Sequence, residues 1–293
     1  MKSIIYLFIA IFISGILISG YVGSKSNQQQ QVIEIQCLVD NPDSKLIDES
    51  CSIIKNRLED NEVQNFDMSV NWNHGIIKIT FNDKIDLKEV LPLIVSVGNV
   101  EFYETYNRAD VVKQLDKSDK LFILLDIASQ NSESENPSII GTCKPALTAQ
   151  VDACINQRYI GKPDREINFV WGKALNSQGD YCLYLLKPNP VLDNQQIVEV
   201  SIRNVNQSNE LMITFNKEGA LVWQDLSKNN INKSIAIVVD MRVYSAPMLQ
   251  SEIKNGKCSI SGNFTTKELT QLKSLINNGK LTLGFELVTQ PGN

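Results

Sequence analysis

Hydrophobic and polar positions along the chain change period several times, and each period predicts an element. Residues 32–39 alternate, with Ile33, Ile35, Cys37 and Val39 on one side, and read as a strand. Ile47, Cys51, Ile54 and Leu58 recur at helical spacing, which predicts a helix over 46–58. Residues 66–72 and 76–81 read as strands on either side of Asn73-His74-Gly75, a hairpin signal. Leu87, Val90, Leu91 and Ile94 mark one face of a helix over 86–96, and 100–106 reads as a last strand. The order β-α-β-β-α-β is that of the ferredoxin-like, split βαβ arrangement.

The rest of the chain repeats this mixed character. A short helical stretch and the apolar run 121–125 lead into 129–138, a polar loop with no apolar residue to bury. Strands are predicted at 139–143, 167–171 and 181–186, a helix at 147–155, and Pro188 and Pro190 act as breakers. Strands at 198–203 and 210–215 pair across 206–209, and a helix at 217–228 carries Ala220, Trp223 and Leu226 on one face. Residues 234–240 and 243–246 form a second hairpin. Thr265 with Glu268 three residues on predicts a capping box, opening a helix that carries Leu269, Leu272, Leu275 and Ile276 and ends at Gly279. Residues 281–288 read as a closing strand. The fold class is therefore α+β.

At the N-terminus, residues 4–22 form an uncharged apolar stretch behind Lys2, long enough as a helix to cross a hydrocarbon core of roughly 30 Å. It reads as a membrane anchor with Lys2 left in the cytoplasm, or as a signal peptide cleaved near the small residues 20–24. Residues 1–24 form this segment, 25–31 are a polar linker, and in either case the body lies outside the cytoplasm. That compartment permits disulfides. Cys37–Cys51 and Cys143–Cys154 are the local candidates among six cysteines, none with the spacing of a metal site.

Composition narrows the chemistry. The 293 residues hold 28 Lys+Arg against 33 Asp+Glu, a formal charge of -5 with no basic run, which argues against nucleic acid as a partner. The single histidine, His74, sits at a predicted hairpin tip and reads as a solvated loop residue. No nucleophile elbow, phosphate loop or dinucleotide fingerprint occurs, so neither an enzyme nor a cofactor is expected. Asp240, at a strand end, is the most tempting single acid. Its simpler role is to accept backbone N–H bonds within its own turn, 240–243.

The segment 234–281 then stops being generic. An apolar strand runs into Asp240 and is followed by Val243-Tyr244-Ser245-Ala246-Pro247. An Ile-x-x-Gly turn at 253–256, the entry ISGNFT at 260–265 and Gly279-Lys280-Leu281 complete the pattern. This closely resembles the first periplasmic domain of SecD, the accessory subunit of the Sec protein-export channel. EFYETY (101–106), NFVWG (168–172), YCLYLLK (181–187) and 215–233 are similar to the SecD-type domain of fused SecDF proteins, so the resemblance runs in order over 32–288.

The resemblance implies a ferredoxin-like base made of 32–106 and the returning helix and strand at 265–290. An inserted, movable α+β head would occupy 107–264, with the N-terminal hydrophobic helix ahead of both. It also implies a non-enzymatic extracytoplasmic module that binds unfolded preprotein emerging from the Sec channel, working beside the channel and a full-length SecDF. The apolar motif residues Tyr244, Pro247, Met248 and Phe264 are the candidate contacts. Two departures stand out. Asp240-Met241-Arg242 replaces the family's Asp-Gly turn, and the chain ends at Asn293 before the family's later transmembrane helices, as a stand-alone relative would. The alternative reading is a periplasmic or secreted binding protein that keeps this fold for a different ligand.

Overall fold

In the computed structural model, residues 30–113, 120–127, 136–159, 167–176, 178–205, 208–262 and 264–288 are described. The chain begins with β1 (Gln31–Cys37), α1 (Ser44–Asp60), β2 (Phe66–Asn71), β3 (Ile76–Phe81), α2 (Leu87–Val95) and β4 (Val100–Glu104). Next come α3 (Arg108–Val112), α4 (Lys120–Leu124), β5 (Ile139–Cys143), α5 (Thr148–Tyr159), β6 (Asn168–Leu175) and β7 (Tyr181–Leu186). The remainder is β8 (Leu192–Asp193), β9 (Ile197–Val205), β10 (Ser208–Phe215), α6 (Lys217–Asn229), β11 (Ile235–Val239), β12 (Arg242–Ser245), β13 (Lys257–Ile260), α7 (Thr266–Asn277) and β14 (Phe285–Leu287).

The first unit is an antiparallel sheet in the order β14-β1-β3-β2. Asp43 and Asp86 accept from the amides of Lys45 and Lys88 and so start α1 and α2. Ile33, Ile35, Ile77 and Ile79 meet Ile47, Ile54, Val90 and Ile94 in one core. The alternating residues Asp67, Ser69 and Asn71 stay exposed, so this sheet has one wet face.

That wet face explains a correction. The strand expected to close this unit, 100–106, is β4, and it pairs instead with β11 and β8 in a seven-stranded sheet, β5-β7-β6-β12-β11-β4-β8. β4 buries Val100 and Phe102 on one side and Tyr103 on the other, so it needs cover on both faces. β14 buries Phe285 and exposes Glu286, which suits an open-faced sheet, and it takes the fourth position.

One core is shared by the sheet β13-β10-β9, α6, α7 and one face of β4 and β11; Phe102, Phe215 and Trp223 meet there edge-on or tilted, with centroids 5.2 to 5.9 Å apart. A separate core joins β5–β7 to α3, α4 and α5. Between the two lies a small cluster of Tyr103, Val170, Leu186, Ala236, Val238, Val243 and Ala246. There the sheet continues through one parallel register pair, Val243 with Gly172.

All six cysteines are free; the two candidate disulfides are not formed, and burial pushes the Cys143 thiol up to about 11. The apolar stretch at 4–22, and with it the expected anchor or signal, lies outside the described residues, as does most of the polar loop at 129–138. Among the described residues no helix is long and apolar enough to cross a membrane.

Candidate functional site

The β11–β12 hairpin turns through Asp240 and Met241, both left-handed at φ 46° and 63°. Two consecutive positive φ values are what a two-residue hairpin turn with a right-handed twist requires, and glycine is the usual second residue. Asp tolerates this region, whereas Met does so at a cost of about 1–3 kcal/mol. Asp240 has a clear local reason to be there, though not the one its own turn suggested. Its carboxylate accepts from the amides of Gly98 (3.1 Å) and Asn99 (2.8 Å), and its own amide donates to the Asn99 carbonyl (3.0 Å). Met241 makes no such contact and leaves 60% of its surface exposed.

Residues 96–99 carry the chain from α2 to β4, and Arg57 holds them from the other side. Arg57 is fully buried and donates to the carbonyls of Ser96 (2.6 Å), Val97 (3.1 Å) and Gly279 (2.8 Å). Burial lowers its pKa to about 10, and the Asp240 charge opposes that fall, so it stays cationic at neutral pH. A cation at the carbonyl ends of α2 and α7 is also favoured by both helix dipoles. Gly98, at φ +78°, lets the chain pass: a Cβ there would stand 2.5 Å from Arg57 Nη2. Sequence reading missed Arg57. The available signal was a charged residue three positions after Ile54 and beside Leu58, on the buried stripe of α1.

Of the four candidate contact residues, the structure brings two together. Tyr244 stacks on Phe264 (centroids 6.4 Å apart, 16° between planes), and the Lys173 ammonium lies 5.9 Å from the Tyr244 ring. Burial, then the charge of Asp240, push the Tyr244 hydroxyl well above its ordinary pKa, so it stays a neutral donor. Alongside, Arg242 covers Tyr181 at 5.7 Å. Pro247 and Met248 lie elsewhere, continuing the β12 chain: the Pro247 carbonyl accepts from Ile235 (3.1 Å), and Met248 bridges Ser234.

A cavity of about 300 Å³ opens where β6 begins beside the β11–β12 turn. Glu101 and Tyr103 of β4 and Val238 of β11 form one side, Phe169 and Val170 of β6 another, and Met241 stands at the turn. The Tyr103 hydroxyl donates to Glu101 Oε2 (3.1 Å), and burial followed by the Glu101 charge raise the tyrosine pKa. The sequence placed 100–106 on a strand, but the cavity exists only because β4 joins the larger sheet.

The β11–β12 turn and the Tyr244–Phe264 pair lie within the part of the chain that comparison with known proteins picks out, while Arg57, Gly98 and most of the cavity's lining lie outside it. Residues 172–283 match the family model of the SecDF P1 head subdomain. Over that part the chain is similar to SecD and SecDF. Protein translocase subunit SecD of Rickettsia conorii is 27% identical over 179 residues, covering 60% of this chain and 34% of that protein. SecD of Rickettsia bellii is 23% identical over 228 residues, covering 76% and 43%. SecD of Calditerrivibrio nitroreducens reaches 36% over 100 residues, covering 33% and 19%. The chain thus spans under half the length of the curated relatives it matches. A solved SecDF structure, described as a membrane component that enhances protein export, superposes with a TM-score of 0.53 at 17% identity, covering 89% of this chain and 100% of that one. SecDF in its super-membrane-facing form gives 0.55, covering 89% of this chain and 30% of that one. At that identity the structural likeness concerns the fold.

Proposed function

We propose that this chain is a non-enzymatic, extracytoplasmic accessory of protein export that binds unfolded preprotein as it leaves the Sec channel. The match of residues 172–283 to the SecDF P1 head subdomain carries this reading. In it the four-stranded unit is the ferredoxin-like base and the inserted part from 107 to 264 is the head. The head's cores also take in β4 and α7, which supply Phe102, Leu269 and Leu272. The apolar segment at 4–22 would hold the body at the inner membrane, or be removed to leave it soluble in the periplasm. Tyr244, Phe264, Pro247 and Met248 are the proposed client contacts. Geometry favours the first two, because a stacked pair of half-buried rings beside Lys173 offers apolar area with a cation at its rim.

The test is fluorescence anisotropy of the chain with one exported protein, presented unfolded and folded. Selective binding of the unfolded form is expected. Equal binding of both forms, or none at high concentration, removes the client role.

A further inference from the structure

The cavity beside the β11–β12 turn has two features that its fold does not require. The first is Glu101, which carries the charge among the described residues lining it; the remaining surface is apolar or neutral, from Val170, Val238, Phe169 and the Tyr103 hydroxyl. Tyr103 donates to one Glu101 oxygen, Oε2, and so orients the carboxylate. The second is Met241. It stands in a left-handed conformation that glycine adopts freely, in a turn that Asp240, and not Met241, ties to Gly98 and Asn99. Strain kept at an exposed, apolar, flexible side chain on a cavity's edge has no packing rationale, and such strain concentrates where a surface makes contacts.

We infer that this cavity is a side-chain subsite for a lysine or arginine of an extended polypeptide, with the aliphatic stem against Val170, Val238 and Met241 and the charged head at Glu101. The inference rests on the client-binding reading above and adds a residue preference to it. Long cationic side chains bury their methylenes along apolar walls and keep the charge on a polar partner, which is the chemistry this cavity offers. Its volume, about 300 Å³, suits one long side chain and the backbone that carries it. An acidic group at the end of such a pocket rejects Glu and Asp by like-charge repulsion, so the subsite selects as well as binds.

The test uses the full chain with ¹³C-methyl-labelled methionine and an unstructured glycine/serine peptide bearing a central Leu-Lys-Leu. Matched peptides carry norleucine or glutamate in place of lysine. The lysine peptide should shift the Met241 methyl resonance saturably, with the norleucine peptide about tenfold weaker and the glutamate peptide weaker still. Glu101→Gln should abolish the difference between lysine and norleucine. Met241→Gly should weaken lysine-peptide binding severalfold while raising the urea midpoint, a combination that a merely structural residue would not give. Equal affinity for lysine and norleucine on the unaltered chain needs no variant and overturns the subsite. A silent Met241 methyl while unfolded exported protein still binds overturns it too and leaves the client reading standing. Failure to bind any unfolded exported protein removes both.

Discussion

The seven-stranded sheet is attached to its surroundings in two contrasting ways. Where the chain enters from α2, residues 96–100 are gripped from four directions. Arg57 takes the Ser96 and Val97 carbonyls, and Asp240 takes the Gly98 and Asn99 amides. Asn194 bonds both the Gly98 carbonyl (2.9 Å) and the Val100 amide (2.7 Å), and the Leu281 amide reaches Val97 (2.8 Å). Midway across the sheet, by contrast, β6 and β12 share one parallel register pair over a small apolar cluster. The crossing is held by directional bonds to buried groups, each costly to leave unmade. The seam is held mainly by contact area, which tolerates small sliding. If the proposed client binding holds, the molecule would keep its stance at the first and yield at the second, and the cavity lies along the second.

The contrast breaks most sharply at Arg57. Arg57→Met should remove about 3–5 kcal/mol of stability, because several buried carbonyls lose their donor together and the Asp240 charge loses its neighbour. Urea unfolding measures it, and a loss under about 1 kcal/mol would mean that the crossing holds without the guanidinium. Gly98→Ala tests the same place by steric means. At φ +78° the new methyl would meet Arg57 Nη2 and stand 2.9 Å from the Leu275 carbonyl, so a loss of about 2–3 kcal/mol is expected. A neutral result would show that the crossing can shift, contrary to its being gripped.

How much of this was legible before folding depends on the range of the interaction. Local chemistry read well: Thr265 and Glu268 cap each other as their spacing predicts (2.8 and 3.2 Å), and Gly279 takes φ +83° just after α7. Periodicity found β3, β5 and β7 but put 100–106 at the close of the first unit, where β14, from the 281–288 segment, belongs, since both are apolar and fit the order. The deciding fact, burial on one face or two, belongs to the assembled sheets. The short strands β8 and β13 gave too few residues to show a period. Asp240 was noticed for its position, yet its partners lie about 140 residues away, and no local pattern encodes them. Tyr244 and Phe264 meet, while Pro247 and Met248 are held apart from them by the β12 register.

The seam should respond less in magnitude and differently in kind. Val243→Ala removes two methyl groups from a site that is nearly closed to solvent, at a cost of about 2 kcal/mol. Amide hydrogen exchange should rise in β6 and β12 and stay unchanged at 98–100. Equal acceleration in both places would erase the distinction between a gripped crossing and a yielding seam.

The smallest effect sits where β4 meets β7, at the end of that seam. Lys187 Nζ lies 2.8 Å from Glu104 Oε2, and the Lys187 amide donates to the Glu104 carbonyl. Burial alone would raise the Glu104 pKa, but hydrogen bonds from Lys187 and Asn230 and the charges of Lys187 and Lys233 outweigh it and hold the carboxyl below its ordinary value. A depressed folded-state pKa contributes stability that is present above the unfolded value and is lost as pH falls through the folded one. The pair is partly exposed, so the contribution is well under about 1 kcal/mol. Glu104→Gln should therefore be slightly less stable than the unaltered chain at pH 7, and the gap should close below the ordinary glutamate range. A gap that persists at low pH would assign the stabilisation at this end of the seam to packing and the backbone bond, with no part for the charge.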